Sequence, residues 1–187
     1  MKYIAIFGSS KTPPGHPHYE MAYELANRLA REGYGICNGG YWGIMDAATR
    51  GARDAGGVAV GVTLEHFSLK RSGVNPLLTR EEPKSRLLDR LSTLLDMSDA
   101  QVALPGGVGT LAEVFLSWNL QVTNEHKPLI LLGLEWKELL DFLQEHTEIE
   151  DKHRAKLRIC ATAEEAFEQI VQQVPLSNSL PLFEEKN

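Results

Sequence analysis

The sequence has few cysteines, no block of basic residues and no long apolar run, and each absence excludes a class of protein. Two cysteines in 187 residues do not make a disulfide framework, so we expect Cys37 and Cys160 to be buried, reduced thiols. A formal net charge of -6 without clustered lysine and arginine argues against a general affinity for nucleic acid. No run approaches the roughly 20 apolar residues of a membrane span. The first apolar run, 3–7, is shorter than the apolar region of a secretion signal, so we expect a cytoplasmic protein that binds no membrane.

Neither of two common phosphate-binding templates is matched. The turn Gly8-Ser9-Ser10 is not G-x-G-x-x-G, which disfavours a dinucleotide fold of the dehydrogenase type. No G-x-x-x-x-G-K-[ST] segment occurs, which disfavours an ATPase of the Walker type.

His16 and His18 flank a proline in what we interpret as a loop leading into a helix. Since no cysteine or second histidine pair stands at zinc-finger spacing, no metal site is predicted.

Short apolar runs alternate with longer segments of helical period, which is typical of βα units on a parallel sheet buried on both faces. The predicted strands cover 3–7, 34–38, 58–63, 101–104, 128–132 and 157–160. The predicted helices cover 18–32, 43–55, 84–98, 110–122, 135–146 and 163–174. A chain of this length buries roughly 70% of its unfolded surface in one domain. We therefore predict an α/β fold, a single Rossmann-like, doubly wound domain over 1–174 with a mainly parallel sheet of about six to seven strands flanked by helices.

Two segments fit neither period. The segment 65–83 is long for a connection in such a fold and contains Lys70, Arg71 and Ser72. Connections of that length are often lids, so we predict a lid or binding loop there. The final residues, 175–187, carry little that would pack, which predicts a loosely packed C-terminal tail.

Three of the predicted strands end in small residues. The turns contain, in chain order, Gly8, Ser9 and Ser10, then Gly39, Gly40, Gly43 and Met45, then Gly106, Gly107, Gly109 and Thr110. The carboxyl ends of parallel strands lie at one edge of the sheet, so the N–H groups of these turns can converge on one anion. One glycine turn alone is equally explained by tight βα geometry. Three together, with hydroxyl groups beside them, favour a phosphate site.

Glu113 follows the third turn on the predicted helix 110–122, and two interpretations of it are open. Thr110-Leu-Ala-Glu113 matches a capping box, in which the two side chains only satisfy the N–H groups of their own helix. Alternatively, the helix dipole favours the ionised form of a carboxylate in the first turn. Such a carboxylate beside a bound phosphosugar can activate water or stabilise an oxocarbenium ion.

Four more side chains lie near these segments. Arg86 and Arg90 are four residues apart on the predicted helix 84–98, and we expect Arg86 to lie on a solvated face. Trp118 and its neighbour Asn119 come one helical turn after Glu113. We expect them in the core or at a dimer interface, with base stacking by Trp118 as the alternative.

The segment Leu104-Pro-Gly-Gly-Val-Gly-Thr-Leu-Ala-Glu113 resembles the P-G-G-x-G-T-x-x-E signature of the LOG (Lonely Guy) family, whose members were often labelled lysine decarboxylase-like. The N-terminal half is similar to the same family in the order of Gly8-Ser9-Ser10, Gly39-Gly40, Gly43-Ile44-Met45 and the segment 56–62. The family's M-H-x-R-K segment falls on Leu87-Leu88-Asp89-Arg90-Leu91, where only the arginine matches.

This resemblance implies a nucleotide-binding, Rossmann-like homodimer without a metal or redox cofactor. It implies hydrolysis of the N-glycosidic bond of a nucleoside 5′-monophosphate, a cytokinin riboside 5′-monophosphate among them, which releases the base and ribose 5-phosphate. Glu113 and Arg90 are then the catalytic residues. The implied phosphate loop consists of Gly106, Gly107, Gly109 and Thr110.

Two other functions remain as hypotheses. Relatives in the same superfamily resemble binders or carriers, including ones that hold the molybdenum cofactor, so the turns also suit a non-catalytic nucleotide or pterin-cofactor binding protein. The altered segment around Arg90 and the loop near Ser68 to Ser72 favour that hypothesis. A pyridoxal-phosphate decarboxylase ranks lowest because none of the three glycine turns contains the lysine that it needs, Lys11 being the nearest.

Overall fold

The computed structural model describes residues 1–68, 73–123 and 127–176. The strands are β1 (Tyr3–Phe7), β2 (Gly35–Asn38), β3 (Ala59–Leu64), β4 (Arg80–Lys84), β5 (Ala100–Ala103), β6 (Leu129–Leu132) and β7 (Arg158–Cys160). The helices are α1 (Pro17–Glu32), α2 (Ile44–Asp54), α3 (Glu65–Ser68), α4 (Leu87–Met97), α5 (Val108–Val122), α6 (Glu135–His146), α7 (Asp151–Arg154) and α8 (Ala163–Gln173). The described strands form one seven-stranded sheet in the order β4-β3-β2-β1-β5-β6-β7, and each neighbouring pair is parallel.

The predicted doubly wound α/β fold is confirmed. From β1 at the centre, the sheet grows through β2 to β4 on one side and through β5 to β7 on the other. Each of the six predicted strands is present, and its ends differ from the prediction by at most one residue. The ends of the six predicted helices differ by at most three residues.

The central strand shows why the apolar runs were informative. Ile4 and Ile6 face one buried layer, which contains side chains of α1, α2 and α8. Ala5 and Phe7 face the other layer, which contains side chains of α4, α5 and α6. A strand covered on both faces has no polar side, so it forms a continuous apolar run. Cys37 and Cys160 are free and buried in these layers, as predicted.

The predicted loop 65–83 is wrong at both ends, because α3 covers Glu65–Ser68 and β4 begins at Arg80. This strand lies at an edge of the described sheet and has the sequence Arg-Glu-Glu-Pro-Lys, without the apolar pattern of the other strands. An edge strand pairs on one side only and therefore tolerates Pro83. The hydroxyl of Thr63 on β3 donates to Glu81 Oε1 at 2.5 Å. Lys70, Arg71 and Ser72, which suggested a lid, lie outside the described residues.

A buried polar network fixes the connection that leads into β4. Asn75 is 2% exposed, and its Nδ2 donates to Asp46 Oδ1 at 2.8 Å and to the Tyr41 carbonyl at 3.3 Å. The other oxygen of Asp46 accepts from the Tyr19 hydroxyl at 2.5 Å and from Arg50 Nε at 2.8 Å. Burial, together with the hydrogen bond to Asp46, raises the pKa of Tyr19. The network therefore ties α1 and α2 to the segment before β4.

The predicted tail, 175–187, lies outside the described residues apart from Pro175 and Leu176. Leu176 packs against the layer that contains α1. In the described ranges, no helix has the length and hydropathy that crossing a bilayer requires.

Candidate active site

The turns after β1 and β5 meet at the centre of the sheet. The chain passes from β1 to β2 on one side, whereas β5 lies on the other side, and such a reversal opens a crevice at the carboxyl ends of the strands. The peptide groups of Ser9 connect the surrounding loops, because its N–H donates to the Pro105 carbonyl at 3.3 Å and its carbonyl accepts from the Ile44 N–H at 2.9 Å. Backbone hydrogen bonds therefore fix the loops after β1, β2 and β5 relative to one another.

A cleft of about 470 Å³ lies in this crevice. Its volume is in the range of small-molecule sites. Its polar and charged lining residues are Ser9, Ser10, Lys11, Tyr41, Arg90, Thr110 and Glu113. Its larger apolar lining residues are Ile6, Phe7, Met45, Leu87, Leu91 and Val108. The cleft is therefore lined by polar and charged residues together with apolar ones.

The structure brings most of the predicted site residues together in this cleft. The predicted residues that line it are Gly8, Ser9, Ser10, Gly39, Met45, Arg90, Gly107, Gly109, Thr110 and Glu113. Gly40, Gly43 and Gly106 are not among its lining residues. Gly43 has a φ of +68° and packs against the backbone of Ser9 and Ser10, where a Cβ atom has no room. Gly43 therefore allows the loop after β2 to pack closely against the loop after β1.

Arg90 extends from α4 into the cleft, and its guanidinium group is held on two sides. Its Nε donates to the Val62 carbonyl at 2.8 Å, and its Nη1 lies 3.6 Å from Glu113 Oε1. The guanidinium group also lies against Gly39, where the Cβ of any other residue would overlap Nη2. The glycine after β2 is therefore required for the position of the arginine, although the two residues are far apart in sequence.

Glu113 is the buried carboxyl group of the cleft. The residue is 8% exposed, and its nearest ion-pair partner in the described structure is Arg90. Burial raises the pKa of Glu113 to about 7, although the nearby Arg90 opposes that shift. Desolvation of this carboxyl group therefore outweighs its attraction to the arginine.

The capping-box interpretation of Thr110 and Glu113 is also wrong. Helix α5 begins at Val108, and Gly107 is its N-cap residue without any side-chain cap. Thr110 lies in the first turn, and Glu113 lies in the second turn, where the N–H groups are already bonded within the helix. Within the described part of the chain, the N-cap of α5 thus supplies no side-chain acceptor, which leaves the first-turn N–H groups available to an anion.

Sequence reasoning missed several residues that build the site. Asn38 ends β2 and is fully buried. Its Oδ1 accepts from the Gly40 N–H at 2.8 Å, and its Nδ2 donates to the Met45 carbonyl at 3.2 Å and to Thr49 Oγ1 at 3.0 Å. An asparagine directly before two glycines is a signal for this kind of turn. Lys11 and Tyr41 were also missed as lining residues, although each directly follows a predicted turn residue.

The other residues that drew attention lie elsewhere. His16 is the N-cap residue of α1, where its Nδ1 accepts from the His18 N–H, and His18 Nε2 lies 2.9 Å from Glu135 Oε1. The prediction of a loop leading into a helix is therefore confirmed. Trp118 is buried in the core, and its Nε1 donates to the His153 carbonyl at 2.9 Å. It is not among the lining residues of the cleft, whereas Asn119 is exposed.

A family model described as the SLOG cluster4 family matches residues 1–167. The chain belongs to this family. A relative of this SLOG cluster4 protein is the cytokinin riboside 5′-monophosphate phosphoribohydrolase of Rhodococcoides fascians, 28% identical over 178 residues that cover 90% of this chain and 89% of the relative. Another is the probable cytokinin riboside 5′-monophosphate phosphoribohydrolase LOGL3 of Oryza sativa subsp. japonica, 27% identical over 182 residues, or 93% and 85% of the two chains. The resemblance to the LOG family is confirmed.

A solved structure is also similar to this SLOG cluster4 protein. It is the molybdenum cofactor binding protein from the phototrophic bacterium Rippkaea orientalis, which aligns with a TM-score of 0.74 at 25% identity. The alignment covers 91% of this chain and 96% of that one. The same fold therefore belongs to relatives named as hydrolases and to a relative named as a cofactor-binding protein.

Proposed function

We propose that this protein hydrolyses the N-glycosidic bond of nucleoside 5′-monophosphates and releases the free base and ribose 5-phosphate. One observation carries the proposal: Glu113 is a buried carboxyl group in the central cleft, with a pKa of about 7 and with Arg90 3.6 Å away. A group with a pKa near neutrality both accepts and returns a proton at the working pH. The relatives named as phosphoribohydrolases support the same reaction.

In this proposal the 5′-phosphate binds at the start of α5. The first-turn N–H groups and the positive end of the helix dipole attract an anion there. Gly107, Gly109 and Thr110, at the N-cap and in the first turn of α5, are among the lining residues of the cleft. The apolar lining residues, such as Leu87 and Leu91, then contact the base and the sugar ring. These contacts favour a ligand with one phosphate end and one apolar end.

The proposed chemical step uses one water molecule. Ionised Glu113 takes a proton from the water, the water oxygen forms a bond to the anomeric carbon, and the bond from that carbon to the base nitrogen breaks. The base leaves with the bonding electron pair and gains a proton from solvent, and protonated Glu113 then releases its proton to solvent. Positive charge develops on the sugar ring in such a transition state, and the buried carboxylate stabilises it. Arg90 holds Glu113 in position through their ion pair.

The test is incubation with AMP, GMP, CMP and UMP, followed by chromatography of the free bases. We expect wild-type protein to release base from at least one of them and Glu113→Gln to lose about 100-fold or more in rate. Glu138→Gln on the exposed surface of α6 is the matched control and should retain full rate. Absence of base release from every monophosphate, with ligand binding intact, would refute the hydrolase.

We also propose that the protein forms a homodimer through the apolar surface beside the cleft. Leu87, Leu88 and Val108 are 50%, 66% and 84% exposed, and Phe115 on α5 is also exposed. Contiguous apolar residues at a cleft are typical of an interface. Light scattering should give twice the mass of the 187-residue chain, and Leu88→Glu should give the monomer mass. A monomeric wild-type protein at micromolar concentration would contradict this assembly.

A second candidate function is non-catalytic carriage of a pterin-type molybdenum cofactor, which also carries a phosphate. Similarity to the Rippkaea orientalis protein favours it, as do Leu88 and Leu91, which stand where the family's segment around the arginine has histidine and lysine. Mass spectrometry of the protein purified under native conditions separates the two functions. A carrier retains an intact pterin cofactor, whereas a hydrolase does not.

A further inference from the structure

The two positive side chains that line the cleft differ in what they contact. Arg90 donates to the Val62 carbonyl and is paired with Glu113 at 3.6 Å. Lys11 lines the same cleft, yet its ammonium group has no hydrogen bond and no ion pair with any residue in the described ranges. Of these two cations, Lys11 is therefore the one whose charge is not neutralised by a carboxylate of the described residues.

The backbone of Lys11 is well fixed even though its side chain is exposed. Its N–H donates to Ser9 Oγ at 3.1 Å, which closes a short turn after β1. The Ser9 N–H in turn donates to the Pro105 carbonyl, just before the loop that starts α5. Lys11 thus lies on a loop that is bonded to the proposed phosphate loop, and both loops border one cleft.

A phosphate monoester in the cleft would carry more negative charge than the start of α5 offsets. A monoester carries about -1.5 to -2 charges at neutral pH, whereas the end of a helix supplies only about +0.5. Arg90 is paired with Glu113, which cancels the charge of the arginine whenever Glu113 is ionised. We infer that Lys11 neutralises the phosphate of the ligand and so makes the cleft select 5′-monophosphates over the corresponding nucleosides. This inference rests on the proposed function, because it assumes that a phosphate monoester binds in this cleft.

The test compares Lys11→Ala with wild type, using AMP as substrate and adenosine as a competitive inhibitor. Loss of a charged hydrogen-bond partner typically weakens binding by a factor of about 10 to 100. We expect the KM for AMP to rise by about that factor, while kcat changes by less than about threefold and the inhibition constant of adenosine stays constant. Lys11→Arg should restore most of the affinity for AMP. Lys156→Ala, an exposed lysine outside the cleft, is the matched control.

The dependence of the KM for AMP on ionic strength separates charge neutralisation by Lys11 from a purely structural role. Raising the ionic strength should raise the KM for AMP more in wild type than in Lys11→Ala, because screening acts on the charge that the variant lacks. An unchanged KM for AMP in Lys11→Ala, or an equal loss of affinity for AMP and adenosine, overturns the inference and leaves the proposed hydrolase intact. A wild-type protein that neither binds nor cleaves any monophosphate overturns both.

Discussion

The raised pKa of Glu113 predicts that wild-type stability depends on pH in a way that Glu113→Gln does not share. The folded protein holds this proton up to about pH 7, whereas the ordinary value is 4.5. The difference between these values, at about 1.4 kcal/mol for each pKa unit, corresponds to about 3 kcal/mol. Below pH 4.5 both the folded and the unfolded states keep the proton. As the pH rises through 4.5 towards 7, only the unfolded chain gains by ionising, so stability falls and the loss is complete above 7.

The assay is urea unfolding of wild type and Glu113→Gln at several pH values between 4 and 8. We expect the free energy of unfolding of wild type, relative to that of the variant, to decrease by about 3 kcal/mol over this range. Comparing the two proteins cancels the pH dependence of other groups. Glu138→Gln, which removes an exposed carboxylate on α6, should show no such trend against wild type. A flat difference between wild type and Glu113→Gln would refute the argument that burial controls this carboxyl group.

Three more predictions concern packing around the cleft and in the core. Gly39→Ala should lower the melting temperature and weaken AMP binding, because its methyl group overlaps the Arg90 guanidinium. Gly109→Ala in the first turn of α5, where a Cβ meets nothing within 4 Å, is the stability control, and equal melting temperatures for the two variants would contradict the steric argument. Asn75→Ala should lower the free energy of unfolding by about 1–3 kcal/mol in urea, since Oδ1 of the buried Asp46 loses the donor that Asn75 supplies, and a loss under about 0.5 kcal/mol would argue against the network. Cys37, whose pKa burial raises to about 12, should react with a thiol reagent only in unfolded protein, and rapid labelling of native protein would contradict its burial.

The sequence predicted strands well wherever the sheet is covered on both faces. At β1 and β6 every residue of the apolar run faces one buried layer or the other, so the run and the strand nearly coincide. Strand β4 was missed because its side chains are polar and partly exposed. Backbone pairing with β3 and the bond from Thr63 to Glu81 form that strand, and neither contact appears as a local pattern.

The chemistry of the site was harder to predict than its location. The three glycine turns follow strands, and the order of strands brings them together, so their positions could be inferred from local sequence. The state of Glu113 depends on α4 and α5 packing around one carboxyl group, which is a property of three-dimensional contacts. The match of Thr110 and Glu113 to a capping box misled because α5 begins two residues before the predicted start.

The edge strand β4 also bears on how this protein behaves at high concentration. An open sheet edge can recruit a strand from another molecule, which is a common route to aggregation. Pro83 has no N–H group to offer an incoming strand, and the neighbouring Arg80, Glu81, Glu82 and Lys84 place charge along the same edge. Replacing Pro83 and these charged residues by β-branched apolar residues would give β4 an apolar sequence typical of a strand. It would also create an exposed sheet edge that pairs readily with strands of other molecules. The polar sequence of β4, which kept the strand from being predicted, therefore disfavours edge-to-edge aggregation of the folded protein.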